Sequence, residues 1–143
     1  MNLNELIKPI WEHWSKIDSA DKEHTYCNMF INSVMLTQDY YAFQGKTTNG
    51  IISIMEFEKF TWKKIDPKDW KQDSIVIAGL QDEPHGHVNI LIAGEFIESG
   101  KWKKKVPLCA NVGKDVFWGK GVNYSFGKLE PTYYQFQLTN LKT

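Results

Sequence analysis

Apolar residues near the start of the chain recur at helical steps. Leu3, Ile7, Ile10, Trp11 and Trp14 recur at helical spacing, with Pro9 interrupting the run and fit to open a second segment. A polar stretch, DSADKEHTYC, then leads into CNMFINSVML. There Cys27, Phe30, Ile31 and Val34 fall at i, i+3, i+4 and i+7, the stripe of a buried helix. Thr25 is the expected N-cap, which puts Cys27 in the first turn. A third helix is expected after KTTNG, with Ile51, Ile52, Met55 and Phe60 inward. Asp66-Pro67 opens a short turn or helix before Trp70.

Beyond that point the period changes. SIVIAG (74–79), HVNILIAG (87–94), KVPLCANV (105–112) and TYYQFQL (132–138) are short, rich in β-formers and separated by Gly, Pro and charged turns. Helices followed by an antiparallel meander make an α+β plan. No repeat, low-complexity tract or linker interrupts residues 1–143, so a single domain is expected.

Composition narrows the classes of function. The chain has 143 residues, long enough to bury a core without staples, and it is 42% hydrophobic and 24% charged. Lys+Arg and Asp+Glu both total 17, so no global field draws nucleic acid or an anionic membrane. The one basic run, Lys101–Lys105, is broken by Trp102 and reads as a solvated turn. Nothing approaches the roughly 18 apolar residues of a membrane span. The start, MNLNELIKPIWEHW, carries acids and lacks the apolar core of a secretory signal, so synthesis in the cytoplasm is expected. The two cysteines, Cys27 and Cys109, show no CxxC spacing and no disulfide framework.

One of those cysteines sits where a thiol is activated. A helix N-terminus stabilises thiolate through its unpaired N–H groups and the positive end of its dipole, and Cys27 opens the second helix. A base must come from elsewhere. His87, the first residue of an apolar strand, is better fixed for that role than His85, which lies in the preceding turn. A third polar group should orient the imidazole through its other nitrogen, and Asn111 at the end of VPLCAN is the natural choice. Each piece alone also reads structurally: Cys27 as core, His87 as a turn residue, Asn111 as turn chemistry. A metal site is a further alternative, with His85 and His87 joined by Cys27 or Cys109.

Several segments together resemble the papain-like peptidoglycan hydrolases of the CHAP and NlpC type. They are TYCNMFINSVM, FQGKTTNGIISIM, WKKIDPKDWKQDSIVIAG, GHVNILIAGE and VPLCANVGK, running from about Thr25 to Tyr134. The Cys-Asn and Gly-His-Val pieces carry most of the likeness. The resemblance implies a papain-like α+β fold, with amino-terminal helices packed on a small antiparallel sheet or half-barrel and the nucleophile at a helix N-terminus. It makes Cys27 the nucleophile, His87 the general base and acid, and Asn111 the orienting residue, with Glu95 as a rival at the turn expected to end the His87 strand. The oxyanion hole would use the Cys27 N–H and a second donor, for which His24, Tyr26 and Asn28 are candidates. The glutamine that papain carries six positions before its cysteine is replaced by Asp21.

The implied substrate is an amide of cell-wall peptidoglycan, within the stem peptide or at its link to muramic acid, and no metal or cofactor is needed. Trp62, Trp70, Trp102 and Trp118 are candidate platforms for sugar or stem peptide, core packing being the alternative, and His85 a rim contact. The chain would reach the wall as a phage lysin, as an injected effector with a cognate immunity protein, or from a phage-derived chromosomal gene. Two rivals keep the fold: a toxin acting on a protein substrate, and a non-enzymatic binding module with Cys27 in its core.

Overall fold

The computed structural model describes residues 1–21, 23–82 and 86–141. Among them, helices α1 (Leu3–Ala20), α2 (Cys27–Leu36) and α3 (Thr48–Phe57) precede strands β1 (Trp62–Ile65), β2 (Val76–Leu80), β3 (His87–Ser99), β4 (Lys104–Asn111) and β5 (Phe117–Gly121). A one-turn helix α4 (Asn123–Phe126) and strand β6 (Thr132–Phe136) complete the α+β arrangement. The six strands form one antiparallel sheet in the order β1-β6-β2-β3-β4-β5. Of the four strands expected as a meander, β2, β3 and β4 pair consecutively; β4 pairs onward with β5, and the fourth expected strand, β6, instead inserts between β1 and β2. No helix among the described residues is long and apolar enough to cross a membrane.

The helical stripe of α2 is buried as expected at Cys27, Phe30, Ile31 and Val34, and α1, α2 and α3 all pack against β3. Pro9 does not divide α1. The helix continues through it from Leu3 to Ala20, with Pro9 on the exposed side and Leu3, Leu6 and Ile7 buried. In α3, Ile51, Ile52 and Met55 face inward, but Phe60 lies beyond the helix end and is 97% exposed.

α2 is capped from a distance. Its N-cap is Tyr26 rather than Thr25, without a side-chain cap of its own. The Tyr26 N–H instead donates to Asp18 Oδ1, 2.8 Å away in the last turn of α1. This ties the start of the Cys27 helix to the preceding helix and supplies a carboxylate at its positive end.

β3 is longer than the sequence pattern implied. It does not stop at Gly94 but shifts register between Ile92 and Ile97 and runs on to Ser99. At the shift two side-chain amides replace a neighbouring strand. Asn4 accepts from Ala93 N–H at 2.8 Å and donates to Ala93 O at 3.0 Å. Gln72 does the same for Gly94, at 2.8 and 3.1 Å. Gly94 has φ 156°, and a Cβ there would lie 2.8 Å from Leu108. The irregularity is thus satisfied on both sides, as buried backbone must be.

Candidate active site

The first residue of α2, the first of β3 and the last of β4 meet at one end of the sheet. Pairing of Leu91 with Cys109 and of Ile90 with Ala110 sets the register. His87 and Asn89 on β3 and Cys109 and Asn111 on β4 therefore share a face, because alternate residues of a strand point the same way. His87 Nε2 lies 2.7 Å from Asn111 Oδ1. Cys27, 5% exposed, lies near enough to the imidazole for each group to shift the other's protonation. The three side chains border one cleft of about 700 Å³, which Thr48, Gly113 and Asp115 also line.

The polar contacts settle the tautomer. Asn111 Nδ2 donates to Asp115 O at 2.6 Å, which turns the amide oxygen toward the histidine. That oxygen also accepts from Ser125 Oγ at 2.9 Å and Asn89 Nδ2 at 3.2 Å. An oxygen surrounded by donors obliges His87 Nε2 to carry its proton. Nδ1 is then the nitrogen left for Cys27, holding a lone pair in the neutral ring and a proton in the cation.

Electrostatics favour that cation beside a thiolate. Burial pushes the Cys27 thiol up, but the hydrogen bond and positive charge of His87, aided by the Thr48 hydroxyl and the Val88 backbone, hold it below its usual value. Burial likewise pushes His87 down. The hydrogen bond and negative charge of Cys27, with Asn111 and the nearby Asp115 carboxylate, raise it above the ordinary imidazole range. Each partner stabilises the charged form of the other. Cys109 has the opposite fate: burial pushes it up to about 12, only slightly offset by Ser125. Both cysteines are free.

Not every residue singled out from the sequence comes to this cleft. Glu95 is exposed in the middle of β3, eight residues along the strand from His87, because the turn expected at Gly94 does not form. Trp62, 2% exposed, is core: it stacks on Phe43 at 5.5 Å and packs against Tyr40 and Phe136. Trp70 is buried as well. Trp102 occupies the β3–β4 turn at the far end of the sheet, its indole N–H donating to Gly127 O at 2.8 Å. Trp118 packs on Trp11 at 5.6 Å and borders a separate groove with Asn4 and Lys8. The aromatic platforms expected from the sequence are therefore absent from the described walls of the Cys27 cleft.

The oxyanion candidates are mostly engaged elsewhere. Tyr26 Oη donates to Asp21 at 2.5 Å, exposed His24 contacts the same carboxylate, and Asn28 Nδ2 donates to Lys46 O at 3.0 Å. Among the described residues no three His, Cys, Asp or Glu side chains converge to hold a metal ion. His85, which both the metal reading and the rim contact require, lies outside the described residues.

Sequence reasoning missed Thr48, Asn89 and Ser125. Asn89 is wholly buried within an otherwise apolar strand and bonds to Ser125, Asn111 and the Cys109 sulfur. A polar residue in second place of the apolar run VNILI was the available signal. Thr48 and Ser125 left none. The chain matches no protein-family model and no curated protein sequence.

Proposed function

We propose that the chain is a papain-like cysteine amidase that hydrolyses amide bonds of bacterial peptidoglycan, as a stem-peptide endopeptidase or an N-acetylmuramoyl-L-alanine amidase. One observation carries the chemistry: a buried thiol at a helix start, an imidazole and an oriented amide line a single cleft, with the thiol lowered and the imidazole raised. The choice of substrate rests on the resemblance of the Cys-Asn and Gly-His-Val segments.

The reaction is acyl transfer. Cys27 Sγ adds to the amide carbonyl carbon, and the C=O π pair moves onto oxygen. The Cys27 N–H, which as a first-turn N–H has no intrahelical partner, is the donor for that developing charge. Collapse restores the carbonyl and breaks the C–N bond, and the leaving amine takes the proton from His87 Nδ1. Neutral His87 then accepts a proton from water as the oxygen attacks the thioester. The acid is released, and the sulfur leaves as thiolate beside the reprotonated ring. Asn111 holds the ring through Nε2 throughout, leaving Nδ1 for the proton transfers. The chain meets its wall substrate after release from the cell or injection into another.

A muropeptide digest read by mass spectrometry tests this reading. Wild type should release fragments cut at one amide, and Cys27→Ala should release none while keeping the wild-type circular dichroism. Walls left intact by wild type, with a host protein cleaved or deamidated instead, would move the substrate to proteins. Equal activity of Cys27→Ala would remove the thiol mechanism.

A further inference from the structure

A second group touches the sulfur. Thr48 Oγ1 lies 3.2 Å from Cys27 Sγ. Thr48 is the first residue of α3, as Cys27 is of α2, so two helix N-termini approach the sulfur from different elements. The neighbouring Thr47 holds the α3 cap, accepting from Gly50 N–H at 3.1 Å, which leaves the Thr48 hydroxyl free of capping duty. Half-buried Thr48 borders the same cleft as Cys27 and His87.

We infer that the Thr48 hydroxyl is a catalytic residue, the second donor of the oxyanion hole beside the Cys27 N–H. The inference rests on the amidase reading above. Whenever the sulfur is a thiolate, the hydroxyl is the donor in this contact. When the C–S bond forms, the negative charge leaves sulfur for the carbonyl oxygen, which hangs on the carbon now joined to that sulfur. A hydroxyl already against the sulfur reaches this oxygen by rotation about its own Cα–Cβ bond. The compact charge on oxygen binds a donor more strongly than the diffuse charge on sulfur, so the contact strengthens toward the transition state. Thr48 neither gains nor loses a proton during the cycle.

The test compares wild type, Thr48→Val and Thr48→Ser on purified walls, alongside the pH profile of Cys27 alkylation by iodoacetamide. Val matches Thr in shape and lacks the donor; Ser keeps the donor. The expected result is a fall in kcat of about 10²-fold for Thr48→Val with KM little changed, in the range seen when one oxyanion donor is removed. Thr48→Ser should return most of that loss, and the alkylation profile of Thr48→Val should move to higher pH. An active wild type with an equally active Thr48→Val overturns the inference, as does an alkylation profile that stays put. A kcat lost equally in Thr48→Val and Thr48→Ser, with lowered melting temperatures, overturns it in favour of a packing role. A wild type inert on walls removes the amidase reading and the inference with it, and is told apart by needing no variant.

Discussion

The state of the Cys27–His87 pair is governed by proximity rather than by either residue alone. Both are buried enough that, isolated, each would resist its charged form; together they charge each other. Activity should therefore follow a bell-shaped pH profile. Its acid limb is loss of the lowered thiol proton and its alkaline limb loss of the raised imidazole proton, and both belong to the coupled pair. With His87→Ala only burial and weaker donors act on the thiol, so its alkylation profile should shift to higher pH. Cys109, with a thiol near 12, should stay unlabelled in the native protein. Alkylation followed by peptide mass mapping across pH reads all of this. An unshifted Cys27 profile in His87→Ala would show that the imidazole does not act on the sulfur.

At the scale of elements, the site depends on how α2 begins. Asp18, 6% exposed, supplies the acceptor for Tyr26 N–H from α1. Asp18→Ala should cost about 1 kcal/mol, the usual loss for a missing cap. It should also lower kcat, since the capped residue, Tyr26, directly precedes the proposed nucleophile. Asp18→Asn keeps an acceptor oxygen and should be nearly normal in both chemical denaturation and turnover. The elements whose apolar spacing is regular were legible from the chain: α1, α2, α3 and the cores of β2, β3, β4 and β6. β1, whose four residues WKKI include two lysines, and β5, FWGKG with two glycines, have no alternation to read and are strands because the sheet extends to them. Cys27, His87 and Asn111 were legible because each sits at an element boundary of distinctive composition. Thr48 and Ser125 reach the cleft only through tertiary packing.

Across the whole molecule, two aromatic groups stand out, neither of them among the described walls of the cleft. Trp62, Phe43, Tyr40 and Phe136 form a buried cluster where β1 and β6 meet the helices. Trp11 and Trp118 close the opposite edge over β5, and the Trp11 indole donates to Asn111 O at 3.1 Å, so this contact also steadies the site. Three of the six tryptophans, Trp11, Trp62 and Trp118, thus hold the sheet at its two edges, and Trp14, Trp70 and Trp102 pack elsewhere. The cleft itself is lined by small and polar groups.

The register shift in β3 has a dynamic consequence. The amide protons of Ala93 and Gly94 are held by Asn4 and Gln72, which belong to α1 and to the β1–β2 connection. Their hydrogen–deuterium exchange therefore reports the seating of two separate pieces of chain, each through one proton. Asn4→Ala should speed exchange at Ala93 and leave Gly94 protected, and Gln72→Ala should do the reverse. If both protons quicken together in either variant, the clamps open as one unit. The middle of the longest strand thus carries a pair of built-in gauges, one for the first helix and one for the crossing loop.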